Sequence, residues 1–146
     1  MTLASCDSRK TAGENPFFTE WDTPHGVPPF DKILPEHFMP AFERGMSLHE
    51  AEIDAITSNN DEATFENTIL AYDNAGQMLA QTELVFGMLC AAETNDRMQA
   101  LQEQAMPLLA AHRDKIRLDD KLFVRVKEVY DRRAALGLDA EQMRLL

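Results

Sequence analysis

His49-Glu50-Ala51-Glu52-Ile53 is the segment of this sequence that comes nearest to a catalytic motif. A zinc hydrolase of the His-Glu-x-x-His type sets two imidazoles one helical turn apart so that both reach one metal, and its glutamate takes the proton of the metal-bound water. Here Ile53 stands where the second histidine belongs. The other histidines, His25, His37 and His112, have no partner at ligand spacing. Each reads as a surface or half-buried polar residue. There is no Gly-rich phosphate loop, no dinucleotide-binding turn and no Gly-x-Ser-x-Gly elbow. Acid pairs such as Glu50 and Glu52 read as solvated helix faces. The sequence therefore predicts no catalytic residue, no cofactor-binding residue and no metal ligand within this chain.

One further group could carry chemistry of another kind. Leu3-Ala4-Ser5-Cys6 has the form of a bacterial lipobox, in which Cys6 would be the site of lipid attachment and the polar run from Asp7 to Thr11 a tether. A signal peptide also needs a charged n-region and an apolar h-region. Only five residues precede Cys6. Two alternatives stay open. Met1 is internal to a longer signal peptide, which would put the protein in the cell envelope or periplasm; or the match is chance, and residues 1–14 are a disordered tail of a cytoplasmic protein. The second cysteine, Cys90, sits in an apolar helical run, where a thiol behaves as a small hydrophobe. Two such distant cysteines are no disulfide framework.

The elements that would position these groups are helical. The chain has 146 residues, 45% hydrophobic and 27% charged, which is enough for one domain with a core. With 25 acids against 14 bases, the net charge of −11 repels phosphate backbones and anionic lipid surfaces, so nucleic acid is not an expected partner. No run is long and apolar enough to be a transmembrane segment.

Asn15 to Lys32 is rich in prolines, with Phe17, Phe18, Trp21 and Phe30 among them. Pro16, Pro24, Pro28 and Pro29 exclude a continuous helix, so this is an extended arm held down by its aromatics. A first helix is expected from Pro35 to Thr57, tightened or kinked at Pro40, with Phe38, Phe42, Met46, His49, Ile53 and Ile56 on one face. A second is expected from a Thr64 cap to about Glu93, one rod of close to 30 residues, in which Gly76 and Gly87 would mark close helix contacts. Asn95-Asp96 opens a third, to about Ile116, bent at Pro107, with His112 on its apolar face. It should run antiparallel to the second. Leu118-Asp119 opens a fourth, with Leu122, Phe123, Val126, Val129 and Tyr130 inward and Arg125, Lys127 and Arg132 outward, ending at Gly137. Asp139 caps a fifth. The fold class is all-α: an elongated antiparallel helical bundle with an extended Pro- and aromatic-rich N-terminal arm, spanning 15–146.

Four segments in order carry a family likeness: Asn15-Pro16-Phe17-Phe18, the run from Pro28 to Met46 (PPFDKILPEHFMPAFERGM), Thr64-Phe65-Glu66-Asn67-Thr68, and Ala92-Glu93-Thr94-Asn95-Asp96. Together they resemble the N-terminal region of the zinc metallopeptidases that include thimet oligopeptidase, oligopeptidase A and bacterial peptidyl-dipeptidase. The first two lean toward peptidyl-dipeptidase. The resemblance implies a longer, almost wholly helical parent divided by a deep channel, with zinc bound in its C-terminal catalytic part and short peptides as substrates. For this segment it implies a structural role, as part of the helical wall that restricts access to the channel, and a C-terminal end cut short of the parent's. It implies no zinc in this chain, whose partner would be the remaining C-terminal part of the same protein.

Two functions from different classes thus fit the sequence. One is the N-terminal fragment of a zinc peptidyl-dipeptidase or oligopeptidase, inactive alone. The other is a free-standing helical interaction module, envelope-tethered if Cys6 is lipidated.

Overall fold

The computed structural model describes residues 14–92 and 95–146; the lipobox with Cys6 and the connection at 93–94 lie outside them. Every regular element is helical, and no strand occurs among the described residues. The main helices are α1 (Phe38–Thr57), α2 (Ala71–Asp73), α3 (Gln77–Ala92), α4 (Asp96–Arg117), α5 (Asp120–Arg132) and α6 (Gln142–Leu145). The all-α class read from apolar spacing is what the chain adopts.

Local chemistry explains most of the boundaries. Pro35 opens a single 3-10 turn, Pro35–His37, which leads directly into α1. Pro40 then falls in the first α-helical turn, where a missing N–H costs nothing. Asn95 accepts from Met98 N at 3.0 Å and Asp119 from Leu122 N at 2.8 Å, so the helix starts expected at Asn95-Asp96 and Leu118-Asp119 each carry a side-chain cap. Asp139 receives the amides of Glu141 and Gln142, each at 2.9 Å, at the start of α6. Pro107 lies within α4, which continues through it.

The expected 30-residue second helix is not one rod. Thr64 caps it as predicted, and Asn67 returns the favour by accepting from Thr64 N at 2.8 Å. The segment Phe65–Leu70 is wound as a π-helix, passes into the short α2, and stops at a turn before α3 begins at Gln77. The cause is Gly76, whose φ of 74° lies in the left-handed region that only glycine enters freely. Gly76 therefore ends a helix rather than sitting inside one.

The core is centred on α1. Phe38, Ala41 and Phe42 are essentially inaccessible. Phe86 meets Phe38 and Phe42 edge-on, with ring centroids 5.0 and 5.4 Å away. Fully burying one such ring contributes about 1.5–3 kcal/mol. Arm residue Phe17 joins this cluster 5.3 Å from Phe38, and Trp21 packs against Phe17 while donating its Nε1–H to Pro16 O at 2.8 Å. Arg44 covers the outer face of Phe18 at 4.5 Å. The arm is thus anchored by Phe17, with Trp21 half-buried. Phe30, expected to be shielded here or in a longer parent protein, is 40% exposed in this chain.

Helices α3 and α4 are antiparallel. Glu83 faces Arg113 at 3.8 Å near one end, and Cys90 shares a wall with Gln102 near the other. A cleft of about 180 Å³ opens between them, lined by Phe86, Gly87, Met106 and Leu109. Gly87 makes no close helix contact, since a Cβ there would meet nothing within 4 Å. The close approach is instead at Gly45, where a Cβ would lie 3.0 Å from Leu79 Cα and 3.2 Å from Leu79 N.

These two glycines predict opposite effects. Gly45→Val should lower stability by about 1–3 kcal/mol, because the atoms it meets are backbone and cannot swing away. Gly87→Ala should raise stability by up to about 1 kcal/mol through helix propensity alone. Urea denaturation midpoints of the two variants measure this; shifts of the same sign would refute the packing described.

Candidate functional site

Two polar clusters interrupt the apolar interior. The first joins α1, α4 and the Gly76 turn. His49 Nδ1 lies 3.0 Å from His112 Nε2, with the rings tilted at 61°. His112 is buried, and its Nδ1 points at Glu50 Oε1 across 3.5 Å, an ion-pair distance rather than a well-formed hydrogen bond. Glu50 also pairs with Lys115 at 2.9 Å. Glu52 Oε2 accepts from Gly76 N at 2.7 Å. The His49 ring covers Gly76 so closely that a Cβ there would sit 2.9 Å from Nδ1.

The pair gives His112 a partner that ligand spacing in the sequence does not show, and buries it more deeply than the surface or half-buried position expected. The signal was present: both histidines occupy the apolar face of their own helix, so two packed helices bring the rings together. Burial, and then the neighbouring His112, hold the His49 pKa below the usual imidazole value; Glu52 and Glu50 partly oppose this. The hydrogen bond and charge of Lys115 hold the Glu50 carboxyl below its usual range.

The second cluster is built on Arg125, which the sequence placed outward. It is 8% exposed. Its Nη1 donates to Asn59 O at 2.6 Å and Asp61 O at 3.2 Å; its Nη2 donates to Asn67 Oδ1 at 3.1 Å and Thr68 Oγ1 at 3.4 Å. The guanidinium thus satisfies the loop after α1 and the start of the π-helical turn together. Arg132 closes the same loop through Glu62 and Ala63 O. Phe123 and Tyr130, expected inward, are exposed instead, Phe123 by 64%. The buried stripe is Leu122, Arg125 and Val129, at spacings of three and four residues. Leu118, Phe123 and Val124, on α5 and just before it, are exposed apolar residues.

Among the described residues, no group of three or more His, Cys, Asp or Glu side chains is placed to hold a metal ion. The two facing imidazole nitrogens are engaged with each other. Glu50 approaches the opposite nitrogen of His112, and Glu52 is committed to the Gly76 amide. A zinc ion between the rings would find no third protein ligand. These residues therefore do not fit a catalytic zinc. Residues His25 and His37 are apart from the cluster; His37 Nδ1 accepts from Leu34 N at 3.1 Å.

No family model matches this chain. Known proteins do. All of them are peptidases by name, and the likeness runs along nearly the whole of this chain. Over 132 residues, 90% of the chain, it is 43% identical to the dipeptidyl carboxypeptidase of Escherichia coli and 39% identical to that of Salmonella typhimurium. Over 109 residues it is 23% identical to oligopeptidase A of Escherichia coli. The motif likeness is thus a homology: the chain is a relative of the dipeptidyl carboxypeptidase and oligopeptidase A group of peptidases. It spans about a fifth of the length of those relatives, 19% of each dipeptidyl carboxypeptidase and 16% of oligopeptidase A.

Two outcomes follow from the clusters. Arg125→Met keeps the stem and deletes the donors, so it should cost about 1–3 kcal/mol; a thermal melt that matches the wild type would contradict the clamp. For pH, the lowered His49 value means the unfolded chain binds the extra proton more readily, so stability is full above about pH 6.5 and falls as pH drops below it. The lowered Glu50 value adds a second loss in the same direction near and below about pH 4.3. Urea midpoints across that range should fall in these two windows, the first of them removed in His49→Gln.

Proposed function

We propose that this chain is the N-terminal region of a zinc metallopeptidase that hydrolyses short peptides, releasing dipeptides from their C-termini. The observation that carries it is the 43% identity with a dipeptidyl carboxypeptidase across 90% of the chain. In that reading the segment contributes wall rather than chemistry. Its helices, packed on α1 and braced by the aromatic arm, help to narrow a channel so that only short, unfolded peptides enter. Zinc and the residues that hold it belong to the rest of the polypeptide. Two features support this division of labour: His49 and His112 are occupied with one another, and the exposed Leu118, Phe123 and Val124 leave apolar surface for a further part of the same protein to cover.

The experiment compares this chain with the longer polypeptide. The purified 146-residue chain should hold no stoichiometric zinc by metal analysis and leave short peptides intact by mass spectrometry. The longer polypeptide should release C-terminal dipeptides in a reaction that a chelator stops and zinc restores. Stoichiometric zinc in the short chain, with chelator-sensitive cleavage, would place the active site within it and overturn the proposal.

A further inference from the structure

The His49–His112 contact is a hydrogen bond between two titratable groups, and this limits how many protons it tolerates. One proton must lie between His49 Nδ1 and His112 Nε2 for a 3.0 Å contact to be favourable. In the neutral pair, the arrangement that suits the surroundings has His49 Nδ1–H donating to His112 Nε2. His112 Nδ1–H then points at the Glu50 carboxylate, 3.5 Å away. The opposite tautomer would set a bare nitrogen of a buried ring against that carboxylate. A first added proton, on either ring, still leaves one hydrogen between the facing nitrogens and keeps the contact intact. A second makes both facing nitrogens donors, and the contact becomes N–H against H–N.

We propose that His49 and His112 form a proton-operated clasp, which ties α4 to α1 and holds down the Gly76 turn until the pair takes up a second added proton, and which then opens. The turn is what the clasp governs, because His49 lies directly over Gly76 and no other side chain is as near to the position of its missing Cβ. Gly76 is in the left-handed conformation, and its amide is held by Glu52 from the same face of α1. When His49 leaves, the turn between α2 and α3 loses its cover, and α3 frays from its first residues.

The charged and titratable groups around the pair set where this happens. From α1 they are Glu50 and Glu52, and from α4 Lys115. From the α2 side, Tyr72 and Asp73 line the same hollow as His49, and so does Leu146, which carries the terminal carboxylate of the 146-residue chain; the rest of the wall is apolar. Glu52 and Glu50 favour a proton on His49. They do not restore the contact after the second proton, because neither of them lies between the two facing nitrogens.

The test uses the full 146-residue chain with nitrogen-labelled histidine. Imidazole NMR between about pH 8 and about pH 5 follows both rings through their titration range. Amide exchange follows residues 76–80 over the same span. The expected result is a two-step titration shared by the His49–His112 pair. At the second step, exchange at residues 76–80 should become at least roughly tenfold faster after correction for the intrinsic pH effect, while the Phe38–Phe42 amides stay protected. His112→Gln keeps a hydrogen-bonding group and carries no second proton, so this step should vanish. If that variant does not fold, His49→Gln at the more exposed ring makes the same comparison. Both rings taking up their protons with exchange at 76–80 unchanged would overturn the clasp. So would an acid response that persists in the glutamine variants.

Discussion

Helix α1 must be covered on several sides at once, and the rest of the structure follows from that constraint. Its Phe38 and Phe42 need an aromatic partner from α3, and Phe86 reaches them only if the two backbones come close. Gly45 permits this by presenting no side chain to Leu79. Further along the helix, Ile53 and Ile56 form a second apolar cluster with Ile116 and Leu122, which draws in the end of α4 and the start of α5. The N-terminal arm then closes the first cluster with Phe17. A chain with this few large side chains per helix gains its order from a single shared axis rather than from a symmetric bundle.

Polar groups do the joining where apolar surface runs out. Arg125 and Arg132 gather the carbonyls of the 59–63 loop, which has no regular structure to satisfy them. Arg97 pairs with Glu36 at 3.0 Å, linking the first turn of α4 to the 3-10 turn ahead of α1. The histidine pair and the carboxylates beside it do the same for the turn at Gly76. In a chain carrying 25 acids, these basic groups are few, and several of them are spent on structure.

Much of this was legible in the residues. The caps at Thr64 and Asp139 and the helix starts at Asn95-Asp96 and Leu118-Asp119 are local chemistry that the residues show directly, as is the all-α class, because helical spacing of apolar residues is a local signal. The break at Gly76 was not legible, since a glycine inside an apolar pattern has the same spacing whether it continues a helix or ends one. The inward turn of Arg125 was missed because its reason lies some sixty residues away, in carbonyls that need donors. Phe123 was placed inward by hydrophobicity alone, although the stripe through Leu122 and Val129 excludes it. The histidine pair needed two helices to be docked before it existed, while each half of it was visible on its own apolar face. The resemblance to a peptidase family, carried by the arm, the run into α1 and the Thr64 segment, is upheld by relatives across most of the chain.

The central claim is that this helical segment serves a metallopeptidase whose chemistry lies in another part of the same polypeptide. Reading the coding DNA onward from the Leu146 codon tests it most directly. The account predicts an open frame, encoding a protein about five times as long, in proportion to its relatives, and containing His-Glu-x-x-His followed by a further glutamate ligand. A stop codon immediately after Leu146 in the natural gene would contradict it and leave a free-standing helical module in its place.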